Sequence, residues 1–221
     1  MSDKININFF YVGKRLGTIE QLSLESFYRK GYTCQLWSYK PIANVPDFVV
    51  MQDASQIMPE PTGDYDPRQA ADKFRYLLLS ELGGWWSDLD NVCLRPLPVQ
   101  DYAFGEFQGA VNNNLMRCPA GSEIMQSIAA DIRQHPKPFG GWNFDYLAMK
   151  IITFDLTGSI FPQSAFNPFN PDVSRLALEL IDWAALDSYV VHLYRSNLGP
   201  VFFERDIFKR NIQNLKLFIN P

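Results

Sequence analysis

The chain has 221 residues, 47% apolar and 20% charged, the balance of a globular protein long enough to fill one well-packed domain. Its net charge of −4 lacks the basic footprint of a nucleic-acid binder, and three scattered cysteines (Cys34, Cys93, Cys118) supply neither a C-x-x-C zinc pair nor an even disulfide set. No apolar run is long enough to span a bilayer, and the polar opening does not resemble a signal peptide, so a cytoplasmic protein with reduced thiols is expected.

A buried strand is predicted over 7–13, "INFFYVG", ended by glycine. Ile19, Leu22, Leu24 and Phe27 make an apolar stripe, which predicts a helix over 18–30 stopped by Gly31. Residues 32–39 alternate polar and apolar as a second strand, and 42–59 read as a loop, a short strand and a turn. The clearest helix lies between Asp66, a suitable cap, and Gly83, with Pro67 at its first position. "WWSDLD", 85–90, follows at once as a strand tip. Two short strands are predicted in 103–119, helices over 122–134 and 144–154, a strand leading into a loop over 188–199, and a terminal helix over 202–218. Strand–helix–strand alternation at the start predicts an α/β protein, a mostly parallel sheet flanked by helices, as one domain over 1–221.

The informative stretch is "GGWWSDLDNVCLRPLP", 83–98, which sets two carboxylates, Asp88 and Asp90, one residue apart beside an apolar run. On a strand they share a side and Leu89 turns to the core. Two unpaired like charges this close are costly in protein, and a hard divalent ion such as Mn²⁺ or Mg²⁺ that also holds phosphates would relieve them. On that reading, removing one of the pair should not destabilise the fold. A bare D-x-D is common, and solvated turn residues are the plainer reading. The context shifts the weight: Asp72, Arg75 and Tyr76 fall on one face of the preceding helix, which only Gly83 and Gly84 separate from the D-x-D strand. An exposed Asp72–Arg75 pair would satisfy the same spacing.

"AADKFRYLLLSELGGWWSDLDNVCLRPL", 70–97, resembles the sugar-binding D-x-D region of a glycosyltransferase family. That family includes bacterial capsular and lipopolysaccharide transferases, yeast initiating mannosyltransferases and animal α-1,4-glycosyltransferases; the glucosylating clostridial toxins are more distant. Asp72, Arg75, Tyr76, Gly83, Gly84, Trp86, Asp88 and Asp90 match the pattern, with Ala71 in place of a serine. Weaker likeness covers most of the chain, from "INFFYVGKRL" with Tyr11 at a tryptophan position to "VVHLYRSNLG" near the end. Two positions depart: "WNFDYL", 142–147, lacks the family's Gly-Pro, and Asn197 replaces a closing tryptophan.

The resemblance implies a GT-A type fold and a retaining, metal-dependent transfer of a sugar from a nucleotide-sugar donor, expected to be a UDP-sugar. The acceptor would be a polysaccharide, a lipid-linked glycan or another glycan acceptor, as in bacterial surface-polysaccharide assembly; a host protein is a variant of the same idea. Asp90 would bind Mn²⁺ or Mg²⁺ directly, Asp88 would contact ribose or reach the metal through water, and His192 and Ser196 would complete the metal shell. Tyr11 would stack on the base, while Asp72, Arg75 and Tyr76 would line the donor site. Asn112 would reach the donor sugar, with Asn113 and Asn114 as alternatives. Asn143 and Asp145 would steady the developing positive charge on the sugar. Plainer readings stand beside these: Tyr11 as a core aromatic, the asparagines as a turn, His192 as a packed strand histidine, and Asp145 as a helix cap.

Two other function classes fit less of the sequence. A metal-assisted nucleotidyltransferase would need a further carboxylate and a phosphate-gripping glycine or lysine motif, and none is present. A nucleotide-sugar-binding protein with impaired catalysis fits the two departures. The aromatic face of 202–218 could touch a membrane surface, with a core-packed helix as the simpler meaning.

Overall fold

The computed structural model describes residues 5–63, 65–135, 144–170, 182–183, 185–195, 210, 213–214 and 216. The predicted opening alternation is present: β1 (Asn6–Phe10), α1 (Thr18–Arg29), β2 (Thr33–Ser38), β3 (Val50–Asp53), α2 (Pro67–Glu81) and β4 (Gly84–Ser87). Then come β5 (Asn91–Cys93), the hairpin β6 (Ala103–Phe107) and β7 (Ala110–Cys118), and α3 (Glu123–Gln134). The last elements are α4 (Phe144–Thr153), β8 (Ile160–Phe161), α5 (Gln163–Phe166) and β9 (Val190–His192). The predicted terminal helix lies largely outside the described residues, as do Asn143, Ser196 and Asn197.

Seven strands form one sheet in the order β3-β2-β1-β4-β7-β6-β8. Strands β1 to β4 are parallel neighbours, β7 runs antiparallel to both β4 and β6, and β8 is parallel to β6. This is the mixed, mostly parallel α/β sheet expected. Its helices cover both faces, which is why the strands read as near-continuous apolar runs. Phe10, Trp37 and Trp86 face a core shared with α2, α3 and α4, while Phe9, Leu36 and Trp85 face a second core shared with α1. The tandem tryptophans therefore serve opposite faces, each ring almost wholly buried. At ~200 Å² per ring and ~25 cal/mol/Å², each contributes roughly 5 kcal/mol of hydrophobic transfer before entropy is subtracted.

The turn into β4 depends on glycine. Gly83 has φ +61°, and a Cβ there would lie 2.2 Å from the backbone nitrogen of Ala120. At the other end of α2, the Asp66 side chain accepts from the Arg68 N–H and Pro67 opens the helix, as predicted.

Two features differ from expectation. The D-x-D is not a strand tip: β4 stops at Ser87, and Asp88–Asp90 turn the chain into β5, with the Asn91 N–H donating to the Asp88 carbonyl at 3.2 Å. Strand alternation therefore does not set the two side chains; the turn and its partners do. The second difference is β7, a nine-residue strand in which Phe104 pairs with Met116 but Gly105 with Asn112. Residues 113–115 bulge away from β6, while on the other side the β4 ladder runs on one step, the Asn114 carbonyl accepting from the Asp88 N–H at 2.8 Å.

Strands β1 and β4 are neighbours, yet the chain leaves β1 toward β2 on one side and returns to β4 through α2 on the other. The crevice beyond their carboxyl ends is the switch point where open α/β sheets bind ligands. Tyr11 follows β1 directly and Asp88 follows β4 directly.

Candidate active site

Arg75 is the hub. It projects from α2 and is only 4% exposed. Its Nη2 lies 3.1 Å from Asp72 Oδ1 and 3.3 Å from Asp88 Oδ1, its Nη1 donates to the Asn113 carbonyl at 2.6 Å, and its Nε donates to the Ala71 carbonyl at 3.3 Å. The guanidinium also lies 5.2 Å from the centre of the Trp86 ring. This is no exposed helix-surface pair: a planar cation is sealed between a carboxylate of its own helix and one that follows the next strand. Burial opposes its charge, but Asp88 and Asp72 outweigh that and hold it firmly protonated.

Asp72 also accepts from Asn113 Nδ2 at 3.1 Å, and Asn113 Nδ2 lies 3.4 Å from the Tyr76 hydroxyl. Asn113, at the bulge, thus joins the cluster. Asn112 turns elsewhere: its Oδ1 accepts from the Asn114 N–H at 3.1 Å, and its buried Nδ2 has no hydrogen bond among the described residues. Asn114 ties the bulge to Asn91 and Asn167 at 2.9 and 3.0 Å. No sequence rule separates three consecutive asparagines; the bulge does.

The two D-x-D carboxylates are not equivalent. Asp88 Oδ1 accepts from the Trp86 indole at 3.0 Å and pairs with Arg75. Burial nonetheless pushes its carboxyl up to about 6, with Arg75 opposing and the Asp90 charge adding. Asp90 is buried too, but the facing His192, a hydrogen bond from it and the Arg195 N–H outweigh burial and hold its carboxyl below the usual range. His192 Nε2 lies 3.3 Å from Asp90 Oδ1, and the Arg195 N–H donates to Oδ2 at 3.0 Å. The small β5–β9 sheet makes this contact by pairing Asn91 with His192, and the Leu193 N–H donates to the Asp90 carbonyl at 2.8 Å. Losing Asp90 is therefore not the neutral event that mutual repulsion alone suggests, because it has partners of its own.

Tyr11 is half-buried, and its hydroxyl donates to the Arg15 carbonyl at 2.8 Å. Burial raises its phenol, with Glu20 adding. Asp145 lies in the first turn of α4, exposed, and none of the described hydrogen bonds or ion pairs joins it to Asp72, Asp88 or Asp90. Sequence reasoning missed two further members: Arg195, whose position beside Ser196 in the closing segment was a usable signal, and Glu20, which reads as an ordinary helix-start acid.

Among the described residues, no three His, Cys, Asp or Glu side chains converge in a metal-binding group. The residues present still suit Mg²⁺ or Mn²⁺. Such ions take one or two protein carboxylates and fill the remaining positions with water and substrate phosphate. Asp88 and Asp90 supply two carboxylates just past the end of β4, with His192 alongside.

The same architecture occurs in solved sugar-transferring enzymes. PaToxG glycosyltransferase matches over 98% of this chain and 85% of its own, with a TM-score of 0.51 and 14% sequence identity. The chain has a glycosyltransferase fold. The apo-form glycosyltransferase GlyE of Streptococcus pneumoniae TIGR4 matches over 98% of this chain and 62% of its own, with a TM-score of 0.50 and 12% identity. The mixed sheet is consistent with the GT-A type. No protein-family model and no curated protein sequence matches the chain. Identities this low carry the architecture and leave the chemistry to the site's own residues. Among the described residues, no helix is long and apolar enough to cross a membrane.

Proposed function

We propose that the protein is a retaining, metal-dependent glycosyltransferase of the D-x-D family, moving a sugar from a nucleotide-sugar donor, a UDP-sugar, to a glycan or lipid-linked acceptor. One observation carries the reading: two carboxylates at the switch point beyond β1 and β4, one tied to a buried arginine and the other to a histidine. A glycosyltransferase fold with this constellation at its ligand crevice supports donor binding there.

Asp88 and Asp90, with His192 and Ser196, would hold Mn²⁺ or Mg²⁺; when bound, the ion supplies charge to stabilise the departing diphosphate. Arg75 fixes Asp72 and Asp88 so that their outer oxygens can take sugar or ribose hydroxyls. Tyr11, next to the crevice, offers a ring for the base. Asn113 is better joined to this group than Asn112, which would act from behind it. The acceptor hydroxyl would attack the anomeric carbon on the face the diphosphate leaves, its proton passing to a phosphate oxygen. Asn143 and Asp145 are the proposed groups for the sugar's developing positive charge.

The test is a panel of nucleotide sugars with purified protein, scored for Mn²⁺-dependent hydrolysis or transfer and for thermal stabilisation. Turnover of one donor that EDTA abolishes is the expected result. Binding without turnover would favour a nucleotide-sugar-binding protein, and conversion of the donor with added pyrophosphate into a nucleoside triphosphate and a sugar 1-phosphate would favour a nucleotidyltransferase.

A further inference from the structure

Glu20 is an anomaly. It sits in the first turn of α1, is only 2% exposed, and carries a carboxylate into protein. Its Oε1 accepts from Arg195 Nη1 at 2.9 Å, and its Oε2 is buried with no hydrogen bond among the described residues. The position is that of a capping-box acid, which would reach back to the N–H of Gly17, but no such bond forms. A Cβ on residue 17 would lie 2.6 Å from Oε2, so Gly17 leaves the space this carboxylate occupies. A buried carboxylate is costly unless it is paired, and its partner is Arg195.

Arg195 is joined to the site at two points. Its backbone N–H binds Asp90 Oδ2, and its guanidinium, with the side chain half exposed, binds Glu20. The preceding Tyr194 has φ +48°, and its hydroxyl donates to the Phe169 carbonyl at 2.9 Å. This left-handed residue is held by its own hydrogen bond, so the turn that delivers Arg195 is fixed. The charge balance shows what Arg195 could do there. Asp72, Asp88, Asp90 and Glu20 bring four negative charges against Arg75 and Arg195. Arg75 is sealed and committed to Asp72 and Asp88, so it has little left for an incoming anion. Arg195 keeps a half-exposed fork of donors at Glu20, on a residue whose backbone N–H holds Asp90.

We propose that Arg195 is the side chain that meets the diphosphate of a bound nucleotide and that Glu20 is the positioning residue that aims it. The inference rests on the glycosyltransferase reading above and extends it to two residues no motif marks.

The test is calorimetric binding of UDP, GDP and ADP, and of the matching monophosphates, to the full chain with Mn²⁺. For the tightest diphosphate, Arg195→Gln should lose about tenfold or more in affinity, the loss of a charge-assisted contact, while the monophosphate changes much less. Arg195→Lys should recover part of it. Glu20→Gln should weaken diphosphate binding roughly threefold, and add nothing in the Arg195→Gln background, because the two act as one unit. A purely structural Glu20 would lower mono- and diphosphate binding alike, and would do so whether or not Arg195 is present. Equal losses for both nucleotides, additive effects, or tighter diphosphate binding by Glu20→Gln would overturn the inference while leaving the glycosyltransferase reading intact. If Glu20→Gln does not fold, the two Arg195 variants decide alone. If the wild-type protein binds no nucleotide with Mn²⁺, the functional reading falls and takes this inference with it.

Discussion

Asp88→Asn should make the metal-free protein more stable at neutral pH, although it removes a partner of a buried arginine. In the folded chain the Asp88 carboxyl titrates near 6 instead of its ordinary 3.8, because burial and Asp90 outweigh the attraction of Arg75. A group whose folded pKa is raised binds its proton more tightly in the native state. Stability is therefore fully present below about 4 and is lost as pH rises toward 6. At about 1.4 kcal/mol per tenfold difference in proton affinity, the ionised carboxylate costs on the order of 3 kcal/mol above pH 7, and less at pH 5. Asparagine mimics the protonated acid in shape. It can still accept from the Trp86 indole, and Arg75 keeps Asp72, the Asn113 carbonyl and the Ala71 carbonyl. Melting in EDTA should show Asp88→Asn raised by several degrees at pH 7.5, at the usual ~2–4 °C per kcal/mol for a chain of this size, and by less at pH 5. Saturating Mn²⁺ should reverse the order, by stabilising the wild-type chain and not the variant. A variant that melts lower than wild type in EDTA at pH 7.5 would refute the reasoning and make the Asp88–Arg75 pair a net contributor to stability.

The companion change has the opposite sign. Asp90→Asn removes a carboxylate held below its usual range chiefly by His192, so it should destabilise the metal-free protein above pH 5 and lose that effect in acid, read from the same melts. Arg75→Lys keeps the charge but cannot reach Asp72, Asp88, Asn113 and Ala71 together; a loss of at least ~2 kcal/mol by chemical denaturation is expected, with donor affinity down tenfold or more. A cost under ~1 kcal/mol would return Arg75 to the status of an exposed pair. Gly83→Ala combines φ +61° with a 2.2 Å approach to the Ala120 backbone, so it should cost roughly 3 kcal/mol or more and lower the melting temperature without a metal-dependent component.

Features carried by neighbours in the chain were legible without coordinates. The 3.6-residue stripe and the Asp66–Pro67 start marked α2, and the β-strand runs around Phe9–Phe10, Leu36–Trp37 and Trp85–Trp86 marked a sheet buried on both faces. Helical spacing was enough to bring Asp72, Arg75 and Tyr76 together, and the D-x-D named its own position. What decided the site was long-range. Arg75 became a buried hub only because α2 lies over the bulge at 113–115, and a register shift in β7 is invisible in a run of three asparagines. The D-x-D became a turn because, one ladder rung past β4, the Asp88 carbonyl accepts from the Asn91 N–H and β5 pairs with β9, a partner far along the chain. His192 and Arg195 reached Asp90 through the pairing of β9 with β5, across 105 residues in the Arg195 contact. Local sequence sets backbone preference and the side that each residue faces. Which charges share a low-dielectric crevice, and so which of two neighbouring aspartates resists ionisation, depends on segments that meet only when the chain is folded.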